Sequence, residues 1–525
     1  MTDLPKTTIE ETLPELSASA KRMNMGRLLS APLPNYNSSV PGSFVWTKIA
    51  FWLCRRVSAA QFRTTSSSSH ERLLRDGGGA MCCGWHTNGL MDPLGIFLNH
   101  PKEFVVGARH DLVTRPLLSW WTRRLAVQPV VRRAELLRGG CTEEEAAHLN
   151  GRSLLALSSG VANGFGCVLF PEGTSHSESH MIRFKTGPMR TVLAASALAI
   201  ASDLPLPHLV PVGLHFRRRD LFRTDQYVEF GEPIQIAPSD VPSPLVEAVK
   251  IGNWVEPPAD SVNSLRDKLR DRLPHHTPDT ASWTEHRALH LIAHVRANRS
   301  NRPLKEWKDE VHAAREVRST WPGRTPAFPP QPLEAPGMEE AKEAATILDN
   351  AGLDARDLNK KAEGLRHAHL SALPLALLKL SMLFALLPIT VTAYGIQIAL
   401  GRLLGDSTDE GLDARTSYQF LAGFFGSLIV WPFIAGGWLL LAVNAQDTLA
   451  AELGWNWVHL FGTGVVAETG AMLMFYTFCF PIFWWCGMSF AWGWDALVDT
   501  KKAWTRRWMK KSQTDRLRGL LARVN

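Results

Sequence analysis

Apolar and polar positions change rhythm several times along the chain, and each change marks a boundary. Residues 1–43 are polar, lack the layout of a secretory signal, and read as a tail. "FVWTKIAFWLCRR", from Phe44 to Arg56, is apolar-leaning but too short for a bilayer span, contains Lys48 and closes on Arg55 and Arg56. This predicts a helix lying among headgroups, with an ordinary domain helix as the other reading. "TTSSSSHERLLRDGGG" follows as a linker, so that residues 44–79 form one unit of interfacial helix and connection.

From residue 80 to 240, short apolar runs ("FVVGA" at Phe104, "GCVLF" at Gly166, "HLVPVGLHF" at His208, "YVEF" at Tyr227) are separated by stretches with helical periodicity. Strands alternating with helices predict an α/β domain around a largely parallel sheet. Residues 241–318 carry two amphipathic patterns, "SVNSLRDKLRDRL" and "EHRALHLIAHVRANR", and read as a helical extension. A Pro-rich linker covers 319–337, and charged helices cover 338–368.

The last third is far more apolar. Ser381–Leu400 has no charge over twenty residues, about 30 Å of helix and enough to cross a bilayer. Thr416–Gln446 is a second run; Leu453–Trp494 is a third, broken by Glu468 and edged by Trp455, Trp457, Trp492 and Trp494 as an aromatic belt. Residues 369–498 are thus expected to be transmembrane α-helices, since a buried soluble bundle rarely has runs so long and pure. "KKAWTRRWMKK" opens a basic tail over 499–525, and the segment before the first run is basic too. Both flanks belong on the cytoplasmic side by the positive-inside rule, which asks for an even number of crossings. Three runs meet that demand only if the third is a hairpin or one run fails to cross.

Charge and cysteine content alter this picture little. A net charge of +7 permits anionic lipid, anionic small molecules or nucleic acid as partners without choosing among them. The seven cysteines are an odd number with no CxxC pair, which argues against a disulfide framework or a cysteine zinc site and for a reducing compartment around the half that holds the α/β pattern.

Three stretches hold unusual polar sets. In "GWHTNGLMDPLG", His86 and Asp92 are six positions apart, so they cannot share one face of a continuous helix. They meet only if the chain turns between them, which Gly89 allows. The same letters read equally as a helix start, with Asp92 as N-cap and Pro93 first in the helix. In "GCVLFPEGTSHSESHMIRFKTG", an apolar run stops at Pro171-Glu172-Gly173, at the strand end where open α/β sheets bind ligands, and Arg183 and Lys185 add positive charge suited to a phosphate. "GTSHS" misses the GxSxG nucleophile elbow at Ser177; His176, Glu178 and His180 form HxExH, not the HExxH of a zinc protease; a solvated turn is the plain alternative. In "LAVQPVVRRAE", Arg132 and Arg133 are either an anion site or a surface pair.

Together, "HTNGLMDP", "VQPVVRRAE", "LFPEGTSHSE" and "LVPVGLHFRRRDLFRTDQYVEFGEPI" resemble, in order and spacing, the four acyltransferase blocks of the glycerophosphate acyltransferase (PlsC-like) superfamily, over about Ala80 to Arg299. That family's first block usually has four residues between His and Asp; this chain has five, as in the fungal-type glycerol-3-phosphate/dihydroxyacetone phosphate acyltransferases. The resemblance implies a PlsC-like acyltransferase domain; the C-terminal transmembrane α-helices lie outside it and rest on the apolar runs alone. His86 would be the base that deprotonates the sn-1 hydroxyl of glycerol 3-phosphate, or of dihydroxyacetone phosphate, for direct attack on acyl-CoA, and Asp92 would orient it. The positions matching Arg132, Glu172 and Gly173 would recognise the acceptor, with Arg133 as the alternative phosphate ligand; Arg183 and Lys185 join them on charge and nearness in sequence. A lysophosphatidate acyltransferase and an inert lipid-binding scaffold are the competing readings. No metal or bound cofactor is demanded, acyl-CoA being a co-substrate, and no nucleic-acid partner is expected. The host membrane would be the endoplasmic reticulum in a eukaryote or the inner membrane in a bacterium. "LLSWWTRRL" near Trp120 could wall an acyl slot, face the membrane or simply pack in a core.

Overall fold

The strand-length apolar runs fold as their pattern requires. In the computed structural model, which describes residues 23–75, 77–114, 116–131, 141–252, 254–321, 329–367, 373–407, 412–454 and 456–524, the strands are β1 (Phe62–Ser69), β2 (Ala80–Gly84), β3 (Phe104–Val105), β4 (Gly107–Arg109), β5 (Gln128–Val130), β6 (Gly166–Val168), β7 (His208–Phe216), β8 (Thr224–Phe230) and β9 (Ile234–Gln235). The main sheet has the order β1-β8-β7-β2-β6-β3, with β9 also on β7; β4 and β5 pair separately. β2 runs parallel to both β6 and β7, and β3 parallel to β6. β8 runs antiparallel to β7 and carries β1 parallel to itself. β2 is buried along its whole length, and all of β7 except its last residue is buried, as expected of strands covered on both faces.

The helices used below are α1 (Phe44–Gln61), α2 (Met91–Asn99), α3 (Pro116–Arg124), α4 (Glu143–Ala162), α5 (Gly187–Ala201), α6 (Trp283–Arg299), α7 (Trp307–Ser319), α8 (Met338–Asn350), α9 (Leu373–Ala385), α10 (Leu387–Asp406), α11 (Leu412–Asn444), α12 (Val465–Trp508) and α13 (Lys511–Leu521). Residues of α4 and α5, including Leu157, Val161, Val192 and Leu193, join β2, β6 and β7 in one buried core. A Thr142–Glu145 capping box starts α4 by satisfying two N–H groups that the helix itself leaves unpaired.

Several boundaries differ from the sequence reading. The supposed linker after α1 contains β1, an edge strand whose residues are mostly exposed, which is why it lacks an apolar signature. Its side chains still bond the sheet: Thr64 Oγ1 donates to Asp225 Oδ1 at 2.8 Å, and Ser68 and Tyr227 share a hydroxyl contact of 2.6 Å. The α/β domain therefore begins upstream of residue 80. It also ends later than 240, since Val241, Leu245, Val262, Leu265 and Leu269 belong to its core rather than to a separate extension. The extension has its own core, built from Leu289, Ile292 and Val295 of α6, Val317 of α7, Ala344 and Leu348 of α8, and Leu517, Leu520 and Leu521 of α13. The expected basic tail is thus part helix and part core: α13 packs its leucines inward, and Arg299 donates to the carbonyls of Leu521 and Val524.

Among the described residues, three helices are long and apolar enough to cross a membrane: Leu387–Asp406, Arg415–Asn444 and Val465–Trp508. The Ser381–Leu400 run is divided between α9 and α10, because Pro388 stands in the first turn of α10, where its missing N–H costs nothing. The third run is not a hairpin: from Val465 onward it continues as one helix of 44 residues, to Trp508. Glu468 sits in the first turn of that helix and accepts from Gly464 N–H at 3.2 Å, so it caps the helix instead of interrupting it. Trp455 lies outside the described residues. α10 and α11 pair antiparallel, with Gly405 beside Arg415, Gly401 beside Gln419, and Trp431 Nε1 donating to Ala393 O at 3.1 Å.

α1 is longer than predicted and buries Ala50 and Leu53 against Met91, Trp121 and the α11 residues Phe420 and Phe424. Its other side leaves Phe44, Val45 and Trp52 exposed. In α3, Trp121 joins this cluster while Trp120 stays exposed under the Arg124 guanidinium, 3.9 Å from the ring centroid. The Trp120 stretch is therefore half core and half surface.

Candidate active site

Strands β2 and β6 are adjacent and parallel, so the segments leaving their C-terminal ends emerge side by side. One carries Trp85 and His86; the other carries Phe170, Pro171, Glu172 and Gly173. This is the edge at which open α/β sheets place their ligands.

His86 and Asp92 do meet. After His86 the chain turns through Gly89, whose φ of 46° lies in the left-handed region, and then enters α2. Asp92 is the second residue of α2 and not its N-cap, which is Leu90 with no side-chain bond. Its carboxylate instead reaches back over the turn. Oδ2 accepts from the N–H of Thr87 and of Asn88, both at 2.7 Å, and lies 2.9 Å from His86 Nδ1. A carboxylate oxygen can only accept, so Nδ1 carries the ring proton and Nε2 is left with a lone pair. Asp92 is fully buried, whereas 13% of the His86 side chain remains exposed. Nε2 makes no hydrogen bond to any described residue.

The ring is also fixed from its face. Phe170 stacks on His86 with centroids 4.1 Å apart and planes 9° from parallel. Glu172, fully buried, joins the two loops: Oε2 accepts from His86 N–H at 2.7 Å, Oε1 accepts from Ile182 N–H at 2.9 Å, and His176 Nε2 lies 2.7 Å from Oε1. The His176 N–H in turn donates to His86 O at 3.0 Å. Glu172 is thus occupied by protein groups on both oxygens, beneath the histidine.

Gly173 has a φ of 69°, and a Cβ there would come within 2.9 Å of Lys185 Cδ. Lys185 lies over this glycine and is exposed; Arg183 donates its Nε to Glu172 O at 2.8 Å. Two of the predicted cations therefore do gather on the β6 turn. Arg132 and Arg133 lie outside the described residues.

Arg219, Phe170 and His176 are site residues that the sequence reading did not select. Arg219 follows β7 and donates to Thr87 O at 3.1 Å, His176 O at 3.2 Å and Ser177 O at 3.3 Å, so one guanidinium ties both loops together. Its other side faces the Trp283 ring at 5.1 Å, and Trp283 Nε1 donates to Ser177 O at 2.6 Å. Three consecutive arginines in "FRRRD" were the only signal, and nothing in them says which one turns inward. His176, Glu178 and His180 lie on an irregular segment, with His176 Nδ1 accepting from Glu178 N–H at 3.1 Å.

Against known proteins, residues 46–214 match the family described as Acyltransferase. Over 109 residues, 21% of this chain, the sequence is 38% identical to glycerol-3-phosphate O-acyltransferase 2 of Saccharomyces cerevisiae. That match spans only 13% of the yeast protein's length. The crystal structure of the 1-acyl-sn-glycerophosphate (LPA) acyltransferase PlsC from Thermotoga maritima aligns with 42% of this chain and 79% of its own, at 17% identity and a TM-score of 0.27.

Proposed function

Starting from an acyltransferase domain over residues 46–214, we propose that the protein is a membrane-bound O-acyltransferase. It transfers a fatty acyl chain from acyl-CoA to the sn-1 hydroxyl of glycerol 3-phosphate or to the hydroxyl of dihydroxyacetone phosphate. The observation that carries the reading is the His86–Asp92 pair, held at 2.9 Å at the C-terminal edge of the sheet with the ring face packed and Nε2 unengaged.

In this reading, Nε2 takes the proton of the acceptor hydroxyl as its oxygen attacks the thioester carbonyl carbon. Asp92 keeps Nδ1–H in place and stabilises the imidazolium that forms. Collapse of the tetrahedral adduct breaks the carbon–sulfur bond, and the imidazolium returns the proton to the departing thiolate. Arg183 and Lys185 serve the acceptor phosphate, a role shared with Arg132 or Arg133. Glu172 and Gly173 contribute by shaping the turn: the carboxylate fixes the His86 backbone, and the glycine leaves room for the Lys185 side chain.

The apolar helices support a bilayer as the setting of this chemistry, as suits an amphiphilic donor and product. α10, α11 and α12 cross the membrane with the catalytic domain on the cytoplasmic face, of the endoplasmic reticulum in a eukaryote or of the inner membrane in a bacterium. The parity demanded by two basic flanks is met if α9 and α10 enter and return together, since the segment before α9 and the start of α11 both lie against the α/β domain: Arg356 is 3.3 Å from Asp225 of β8, and Thr416 near the start of α11 bonds Asn88.

The test is acyl transfer from labelled acyl-CoA to glycerol 3-phosphate by membranes holding the wild type or His86→Ala. Lysophosphatidate from the wild type, reduced about 10²- to 10⁴-fold in the variant, is expected for loss of a general base. Product only when lysophosphatidate is supplied as acceptor would assign the enzyme to the next acylation instead.

A further inference from the structure

The turn between His86 and Asp92 is held from two sides. On the near side, Asp92 Oδ2 takes the N–H groups of Thr87 and Asn88. On the far side the partners come from α11, more than three hundred residues away in the chain. Thr416 Oγ1 donates to Asn88 Oδ1 at 2.5 Å, and Ser417 Oγ accepts from Leu90 N–H at 2.9 Å. Both Asn88 and Thr416 are 2% exposed, so this is a water-excluded joint between the catalytic turn and the first turns of a membrane helix. One helical turn further on, Phe420 is buried in the same cluster as Met91, the residue that opens α2.

Resting on the functional reading above, we propose that Thr416 and Ser417 are positioning residues of the catalytic turn, so that His86 is aligned only when α11 is seated against the domain. The attachment falls on Asn88 and Leu90, in the middle of the spacer, and touches neither His86 nor Asp92. Gly89 between them has a left-handed φ and no side chain to hold the bend, so the bend depends on its neighbours' bonds. Releasing Asn88 Oδ1 leaves a buried acceptor without a donor, and the turn relieves this by shifting, which carries the His86 end with it. The membrane helix thereby enters the rate through geometry, without contacting substrate.

The experiment compares full-length Thr416→Val, Thr416→Ser and Ser417→Ala in membranes, with Ser427→Ala as control, since the Ser427 hydroxyl bonds only Gly423 O of its own helix. Acyl transfer to glycerol 3-phosphate is followed for kcat and KM, and thermal unfolding is measured in parallel. We expect Thr416→Val to lose about tenfold in kcat with little change in the acceptor KM, the size of one unmade buried hydrogen bond. Thr416→Ser should restore most of it, Ser417→Ala should show a smaller loss of the same kind, and Ser427→Ala should match the wild type. Wild-type kcat in Thr416→Val and Ser417→Ala would overturn the inference. So would an equal loss in Thr416→Val and Thr416→Ser that tracks a lowered unfolding temperature, because the hydroxyl would then serve folding alone. A wild type that acylates no glycerol-phosphate acceptor would remove the functional reading itself, an outcome distinct from either of these.

Discussion

Glu172 has no contact with solvent, and each of its oxygens faces a donor: His86 N–H on one side, Ile182 N–H on the other. In Glu172→Gln, whichever way the amide is turned, its NH₂ group must confront one of those N–H donors. The expected cost is about 1–3 kcal/mol of stability, read by thermal unfolding, with kcat falling more than the acceptor KM changes because the loop bearing His86 loosens. Asp92→Asn should lower kcat by about 10²-fold or more, since the amide no longer selects the tautomer that leaves Nε2 free; steady-state kinetics with saturating acyl-CoA would show it. His86, Asp92 and the FPEG turn were legible because short motifs carried them. Phe170 was quoted in the motif without its role, because stacking on a ring from another loop is a fact of three dimensions. Thr416 and Ser417 had no signal, being two hydroxyls at the edge of an apolar run.

At the scale of elements, the half of α12 beyond the apolar stretch is fixed by a ladder of ion pairs. Asp495 pairs with Arg223 at 2.7 Å, Asp499 with Arg63 at 2.7 Å, Lys502 with Asp354 at 2.9 Å, and Arg506 with Asp357. Intervals of four, three and four residues put all four on one helical face. The sequence reading took residues 499–525 as a basic tail because it counted Lys502 and Arg506 without their acidic partners Asp354 and Asp357, which lie far away in the chain. It likewise missed β1, where polar serines suit a strand with one open edge, and divided the extension from the domain some thirty residues too early. The strands β6 and β7 were legible because continuous burial leaves a continuous apolar run, and the apolar helices because of their uncharged length; β8 showed only in its YVEF end, since its buried residues include Asp225, Gln226 and Glu229. For α13, Leu517→Ala or Leu521→Ala should destabilise the extension by about 2–5 kcal/mol, as for other fully buried leucines; limited proteolysis of α8 and α13 would reveal the loosening before the catalytic domain melts.

At the scale of the molecule, the extension meets the sheet through buried charge and imidazole. Arg315 of α7 binds Glu229 of β8 at 2.9 and 2.5 Å, and Arg217 binds Glu310 at 2.6 and 2.5 Å. Burial lowers His215 from its ordinary 6.5 to about 4, and burial likewise lowers His286 to about 3. For both, the unfolded chain takes up a proton below pH 6.5 that the folded chain refuses. Stability is therefore full above that pH and falls as pH drops toward 4, by about 1.4 kcal/mol per pH unit for each proton. Thermal unfolding of the full-length protein between pH 7 and 4.5 should show the slope, and His286→Phe, which keeps a ring against Trp283, should remove one proton's share of it. The place of α13 has a further consequence, for the order of manufacture. Leu517, Leu520 and Leu521 are synthesised after every apolar helix, yet they close a core begun by Leu289 and Ile292. In the proposed membrane arrangement the extension therefore waits with one wall missing while the apolar helices are made, and its apolar cleft closes only when α13 folds back onto α6.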